Sequence, residues 1–245
     1  MSELDRIRTT LRTSQQATFP RQMQAFGLDL VVQEGVFPPE HFQSWRWISE
    51  NFPPFDGKTV LEIGCGFGLP GLLLAKTGAL SLLTCDINPR AVANTLENAA
   101  RNGIRNVEVI ASDIFTNVPP GRSFDIIFWN YPSSYAPEDY EFVHDLEGGA
   151  IDPGYNLLER FLSDGPRFLT ETGRIVLGFG TNARDDLLEK IAGSNDLTSV
   201  LLRAGTYPDV NVTYRLFSIS KRPQAHDARA DAHCVSRHFA QSEQR

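Results

Sequence analysis

Asn130, Tyr131 and Pro132 close an apolar run, FDIIFW, that begins at Phe124. An amide there offers a side-chain carbonyl as a hydrogen-bond acceptor, and the proline restricts the chain that carries a second, main-chain acceptor. Two acceptors side by side can hold the N–H groups of a planar nitrogen and aim its lone pair at an electrophile. Holding those groups also stabilises positive charge developing on the nitrogen. The same residues would serve as a plain strand-ending turn, since asparagine and proline both favour turns. Three acids stand at comparable places upstream: Glu62 within TVLEI (59–63), Asp86 after SLLTC (81–85) and Asp113 after VEVIA (107–111). Gly64, Gly66 and Gly68 follow the first run and let the backbone turn tightly against a ligand. The helix after them would point its N-terminal amides the same way.

This set suits a nucleoside-bearing cofactor, and two kinds fit parts of it. Gly66, Gly68 and Gly71 satisfy the GxGxxG spacing of dinucleotide sites, with Asp86 placed for a nicotinamide ribose, so a dehydrogenase accounts for that much. S-adenosyl-L-methionine accounts for more. Glu62 would reach its cationic amino-acid end, Asp86 its ribose hydroxyls and Asp113 its exocyclic adenine amine. Each acid alone also reads as a helix cap, Asp86 before NPRAV being one example. Cys65, Ile87 and Ile114, beside these positions in the chain, complete the expected cofactor set together with Asn130 and, farther upstream, Phe37.

The elements that must position these residues show in the alternation of the chain. Short runs at 59–63, 81–85, 107–111, 124–129 and 174–179 alternate with helix-length segments, the pattern of parallel strands joined by crossover helices. FDIIFW is apolar throughout, as a strand buried on both faces should be. TSVLLR (198–203) and NVTYRLFSIS (211–220) are joined by too few residues for a helix, so the last strand should run antiparallel at or near an edge. The expected fold is α/β: a seven-stranded Rossmann-like sheet, mostly parallel, helices on both faces. LDLVVQEGVF (28–37) reads as a strand and turn, and 40–51 as a helix. The expected division is a lead-in and cap over 1–52, the main domain over 53–222 and a mobile tail over 223–245.

These residues together resemble the class I methyltransferases that modify glutamine side chains of release factors, within a wider group including N6-adenine and ribosomal-RNA guanine methyltransferases. The resemblance runs from about Gly35 to Gly180. It is carried by GVFPP (35–39), LEIGCGFG, SDIF, the amide of Asn130, and EGGAIDPGYNLLERFLSDGPRFLTETGRIVLGFG (147–180). Where that group carries Asn-Pro-Pro-Tyr/Phe, this chain has Asn130-Tyr131-Pro132-Ser133, so its first proline is a tyrosine and its stacking aromatic a serine. Tyr131 or Tyr135 would have to replace the aromatic. The family's Asp-Gly-Leu is Asp152-Pro153-Gly154, and the segment before Gly35 is too short for its helical recognition domain. The resemblance implies the fold, S-adenosyl-L-methionine as cofactor, and Asn130, Tyr131 and Pro132 as the catalytic turn.

Composition narrows the substrate. A net charge of −7 disfavours nucleic acid, whose phosphates require clustered Lys and Arg. The three cysteines lack CxxC spacing, so no metal site is expected, and no run approaches the roughly 18 apolar residues that span a bilayer. The polar N-terminus points to the cytoplasm. Between Arg122 and Arg160 there is no Lys or Arg, whereas Glu138, Asp139, Glu141, Asp145 and Glu147 follow the catalytic turn. As a solvated face they would do nothing. As a roof over the substrate they would, with Tyr135, bind a guanidinium or ammonium. The expected function is N-methylation of a guanidine or amide nitrogen on a small, cationic, amino-acid-like molecule, free arginine being the specific candidate. A release-factor-type glutamine methyltransferase, an O-methyltransferase and a non-catalytic binding subunit stand beside it, and a homodimer is compatible with all of them.

Overall fold

A computed structural model describes residues 2–181, 183–207 and 212–222; the expected tail, 223–245, lies outside them. The chain opens with helix α1 (Glu3–Ser14), started by a reciprocal cap between Ser2 and Asp5. A hairpin follows, β1 (Arg21–Ala25) and β2 (Leu28–Val32), turned by Phe26 and Gly27 at φ 51° and 71°. The sequence reading found only its second strand, because β1 is RQMQA, polar at alternate positions and half open to solvent. Helix α2 (Ser44–Asn51) is shorter than the expected 40–51, since residues 40–43 extend the loop after Pro38-Pro39.

The α/β core then runs β3 (Thr59–Ile63), α3 (Gly71–Thr77), β4 (Ser81–Asp86), α4 (Pro89–Arg101), β5 (Val107–Ala111) and β6 (Phe124–Asn130). After β6 come a two-stranded ribbon, β7 (Ser134–Ala136) with β8 (Ile151–Pro153), then α5 (Asn156–Asp164), β9 (Leu169–Phe179), α6 (Asp185–Ser194), β10 (Leu197–Tyr207) and β11 (Val212–Lys221). The sequence reading started β9 at 174 and carried the preceding helix to Gly173. In the structure α5 stops at Asp164, because Pro166 cannot donate the next helical hydrogen bond, and β9 begins at Leu169.

The seven main strands lie in the order β10-β11-β9-β6-β3-β4-β5. Only β11 is antiparallel to its neighbours, slotted between β9 and the edge strand β10, as the short final connection required. Alternate residues feed two apolar layers: Val60 and Phe128 pack with α2, α3 and α4, while Leu61 and Ile127 pack with α5 and α6. Strands β3 and β6 are neighbours, with Ile63 opposite Trp129. Their connections leave to opposite sides, so a crevice opens beyond their carboxyl ends, where ligands of such sheets sit.

Asparagines on α4 and at its C-cap fasten the N-terminal hairpin to that helix. Asn94, Asn98 and Asn102 recur every fourth residue, one face of a helix. They accept from the β2-side amides of Gln33, Val31 and Asp29 at 2.8–2.9 Å, and their own amides donate back to Val31 and Asp29 carbonyls. Asn88, which caps α4, donates to the carbonyl of Gly35. The amides replace a missing strand neighbour for β2 and deliver Phe37 to the cavity. Among the described residues no helix is long and apolar enough to cross a membrane.

Candidate active site

The glycine turn after β3 is tied to β4 before any ligand is considered: the amides of Gly64 and Cys65 both donate to the Cys85 carbonyl at 2.8 and 2.9 Å. Gly64 and Gly66 hold φ of 74° and 53°, which side-chain-bearing residues rarely adopt. A Cβ at Gly66 would meet nothing within 4 Å and so project into open space; one at Gly64 would press on the Trp129 indole at 3.1 Å. Asp86 accepts from Gly66 N at 3.0 Å and from Asn88 N at 2.9 Å. Burial pushes its carboxyl above the usual range, against those two hydrogen bonds.

Glu62 behaves differently from the expectation that it faces the cofactor. It is 1% exposed, and its two oxygens accept from Gly71 N at 2.8 Å and Thr84 Oγ1 at 2.7 Å. Burial pushes its pKa up to about 8. Glu62 braces the first turn of α3 from beneath and does not line the cavity. Asp113 does line it, with one oxygen paired to Arg160 at 2.8 Å on the open side.

At the end of β6, Asn130 Nδ2 donates to Ser44 Oγ at 2.9 Å, which fixes the plane of the amide. Its Oδ1 and the main-chain carbonyl of Tyr131 accept no hydrogen bond from the described residues. The ring of Tyr131 points into the protein, stacked on Phe179, and its hydroxyl donates to Asp152 Oδ2 at 2.5 Å. Tyr131 therefore offers the site its carbonyl and not an exposed ring. Ser133, where the family resemblance implies an aromatic, accepts from Gly180 N through Oγ and from the Tyr155 hydroxyl through its carbonyl. Tyr135 stands edge-on to Tyr155 with Arg184 over its face, and it does not line the cavity.

These features border one cavity of about 930 Å³. Its floor is the carboxyl edge of the sheet: Ile63, Gly64, Gly66, Asp86, Asp113 and Asn130. Ile87 (71% exposed), Ile114, Cys65 and Phe37 also line it, and Gly68 lies just behind the turn. Part of the roof comes from the N-terminal lead-in. Arg6, Ile7 and Thr10, on one face of α1, close over the top beside Phe42, whose ring packs on Phe37 at 4.6 Å. The sequence signal for α1 is its capping box; within the expected cap over 1–52, the sequence singles out no residue of this helix for the site.

Of the acids expected to bind a cationic substrate, Glu138, Asp139, Glu141 and Glu147 do not reach the cavity, whereas Asp145 of the same stretch lines it. Glu147 is buried and paired within the chain: Arg8 Nε and Nη2 donate to its two oxygens at 2.9 and 3.2 Å, and the Tyr140 hydroxyl at 2.8 Å. Arg8 also donates to the Glu141 carbonyl and the Tyr140 hydroxyl, so the pair clasps α1 to the segment after β7. Glu138 and Glu141 are exposed outside the lining. Water screens their charges, with no substrate required.

A family model described as methyltransferase small domain matches residues 27–194. The chain belongs to that family. A relative from Methanocaldococcus jannaschii, provisionally named protein N5-glutamine methyltransferase, is 37% identical over 154 residues, covering 62% of this chain and 75% of that one. Ribosomal RNA small subunit methyltransferase C of Vibrio vulnificus is 29% identical over 157 residues, covering 62% and 40%. The chain thus spans three quarters of the first relative and well under half of the second. The T. thermophilus 16S rRNA N2 G1207 methyltransferase, solved with AdoMet and guanosine, superposes with a TM-score of 0.58 at 20% identity over 83% of this chain and 50% of that one. That likeness concerns the fold.

This small-domain methyltransferase uses S-adenosyl-L-methionine, and its residues fit the cofactor: the turn faces open space at Gly66, an acid sits at the end of β4, and the cavity is of cofactor-site size. When bound, the cofactor supplies an electrophilic methyl on a sulfonium. The chain's own part is to hold, orient and exclude water. Asp86 and the Gly64–Gly66 turn would offer the hydrogen-bonding groups, Ile87, Ile114 and Phe37 the apolar walls, and α1 the cover.

Proposed function

We propose that the chain methylates the side-chain amide nitrogen of a glutamine carried by a protein. The observation that supports it is the pair of unpartnered acceptors, Asn130 Oδ1 and the Tyr131 carbonyl, on consecutive residues at the cavity floor. A primary amide has two N–H groups to give them. Engaging both orients the nitrogen and raises electron density on it, which opposes the delocalisation that makes amides poor nucleophiles. The new N–C bond forms as the S–C bond breaks, and the extra proton leaves an N-alkylated amide so acidic that water suffices to take it. No dedicated base is required.

A protein substrate is favoured over a small cation because, of the acids after the turn, Glu147 is paired and only Asp145 reaches the cavity, and because of the name of the 37% identical relative. The net charge of −7 weighs against RNA. The test is incubation of the chain with isotope-labelled cofactor and a library of glutamine-containing peptides, read by fragment-ion mass spectrometry. Label on glutamine Nε2 is expected. Asn130→Ala should lower kcat by roughly 10²- to 10³-fold, as loss of a positioned transition-state partner does, with the Kd for S-adenosylhomocysteine unchanged. Label on free arginine or on RNA alone would overturn the reading.

A further inference from the structure

We infer that Asp152, acting through the Tyr131 hydroxyl, is a positioning residue for the transfer: together they hold the residue-131 carbonyl where a proline ring holds it in the Asn-Pro-Pro pattern. The inference rests on the amide-methylation reading above. Proline at the middle of such a turn locks its own φ near −65°. Tyrosine has no such lock. Pro132 still confines Tyr131 to extended backbone, but that basin is wide, tens of degrees in each dihedral. A carbonyl that must meet one hydrogen of an amide within a fraction of an ångström needs a second restraint.

The structure supplies one from the side chain. Tyr131 is 4% exposed, its ring stacked on Phe179 at 5.4 Å and edge-on to Trp129 and Tyr155. Its hydroxyl ends on Asp152 Oδ2, and Asp152 is 0% exposed. Asp152 is itself immobilised: Oδ1 accepts from Leu157 N at 3.1 Å, Oδ2 from Leu158 N at 3.0 Å, at the first turn of α5. Its backbone belongs to β8, opposite Tyr135 of β7, in the ribbon that leaves the catalytic turn. The side chain of Tyr131 is thereby anchored at both ring and hydroxyl, while the carbonyl of the same residue is left without a partner. Restraint on the one transmits to the other through a single Cα.

Tyr131→Phe removes the hydroxyl and keeps the ring; Asp152→Asn keeps the shape and weakens the bond. With the fastest glutamine peptide from the library above as the probe, both should lower kcat by about 10- to 100-fold, the scale of a sub-ångström misplacement. KM for the peptide should change little, and Kd for S-adenosylhomocysteine not at all. A merely structural role would move stability alone, so Leu188→Val, a buried change remote from the cavity, serves as the control: it should lower the midpoint of unfolding and leave kcat intact. Crystal structures of the two variants give a readout that needs no turnover, and the distance from Asn130 Oδ1 to the 131 carbonyl should shift by about 0.5 Å or more. Unchanged kcat, or an unmoved carbonyl in either variant, overturns the inference. If no peptide is methylated, the functional reading fails separately, and the carbonyl position still decides whether Asp152 holds it.

Discussion

Replacing Glu62 by glutamine tests the account of what lies beneath the cofactor turn. In the folded chain the Glu62 carboxyl titrates at about 8, raised by burial from an ordinary value of 4.5. Folding therefore favours its protonated form. The stability this contributes is full below the unfolded value of 4.5, declines between 4.5 and 8 as the unfolded chain alone releases the proton, and is gone above 8. At about 1.4 kcal/mol for each tenfold change in proton activity, that interval is worth about 5 kcal/mol. Glutamine keeps an acceptor for Gly71 N and a polar atom toward Thr84 Oγ1, and it cannot ionise. Urea denaturation of the cofactor-free protein, followed by circular dichroism from pH 5 to 8.5, should show matching stabilities for the two proteins near pH 5. The variant should then gain on the parent as pH rises, by about 3 kcal/mol near pH 7.5. Parallel profiles across that range would refute the buried, neutral carboxyl. A variant weaker at every pH would show instead that the carboxylate is ionised and held by its two donors.

Two further changes address the elements around the site. Asn98→Ala removes three hydrogen bonds of 2.8 Å, to Val31 N, Val31 O and Phe67 O, and leaves their buried partners unmet, for a loss of about 3 kcal/mol in chemical denaturation; a loss under about 1 kcal/mol would mean that the hairpin is held otherwise. Arg8→Ala opens the clasp on Glu147, so amides of Glu3–Ser14 should lose hydrogen-exchange protection while the sheet keeps its own. Acid should act likewise. Desolvation raises the Glu147 carboxyl, but the hydrogen bonds from Arg8 and Tyr140 outweigh it and hold the group below its ordinary value. Its contribution is thus present above pH 4.5 and lost as pH falls through the lowered folded value. Protection of α1 that is indifferent to both would remove its role as a fastened roof.

The sequence by itself determined the sheet and the cofactor end of the site. Runs such as TVLEI and FDIIFW carry their burial in their composition, and the strand-end positions of Asp86, Asp113 and Asn130 follow from where those runs stop. Gly64 and Gly66 announce a conformation that only they adopt freely. These are local properties, fixed by residues a few positions apart, and they survive being read one segment at a time. Only the tertiary structure decided which charged and aromatic groups remain free to act. Glu147 looked available until Arg8, 139 positions earlier, was found upon it. Tyr131 looked like a stacking surface until Asp152 took its hydroxyl, and Glu62 like a ligand contact until Gly71 and Thr84 took both oxygens. A side chain's availability is what remains after every partner in space has been counted, and partners brought together by folding leave no mark in the order of the chain.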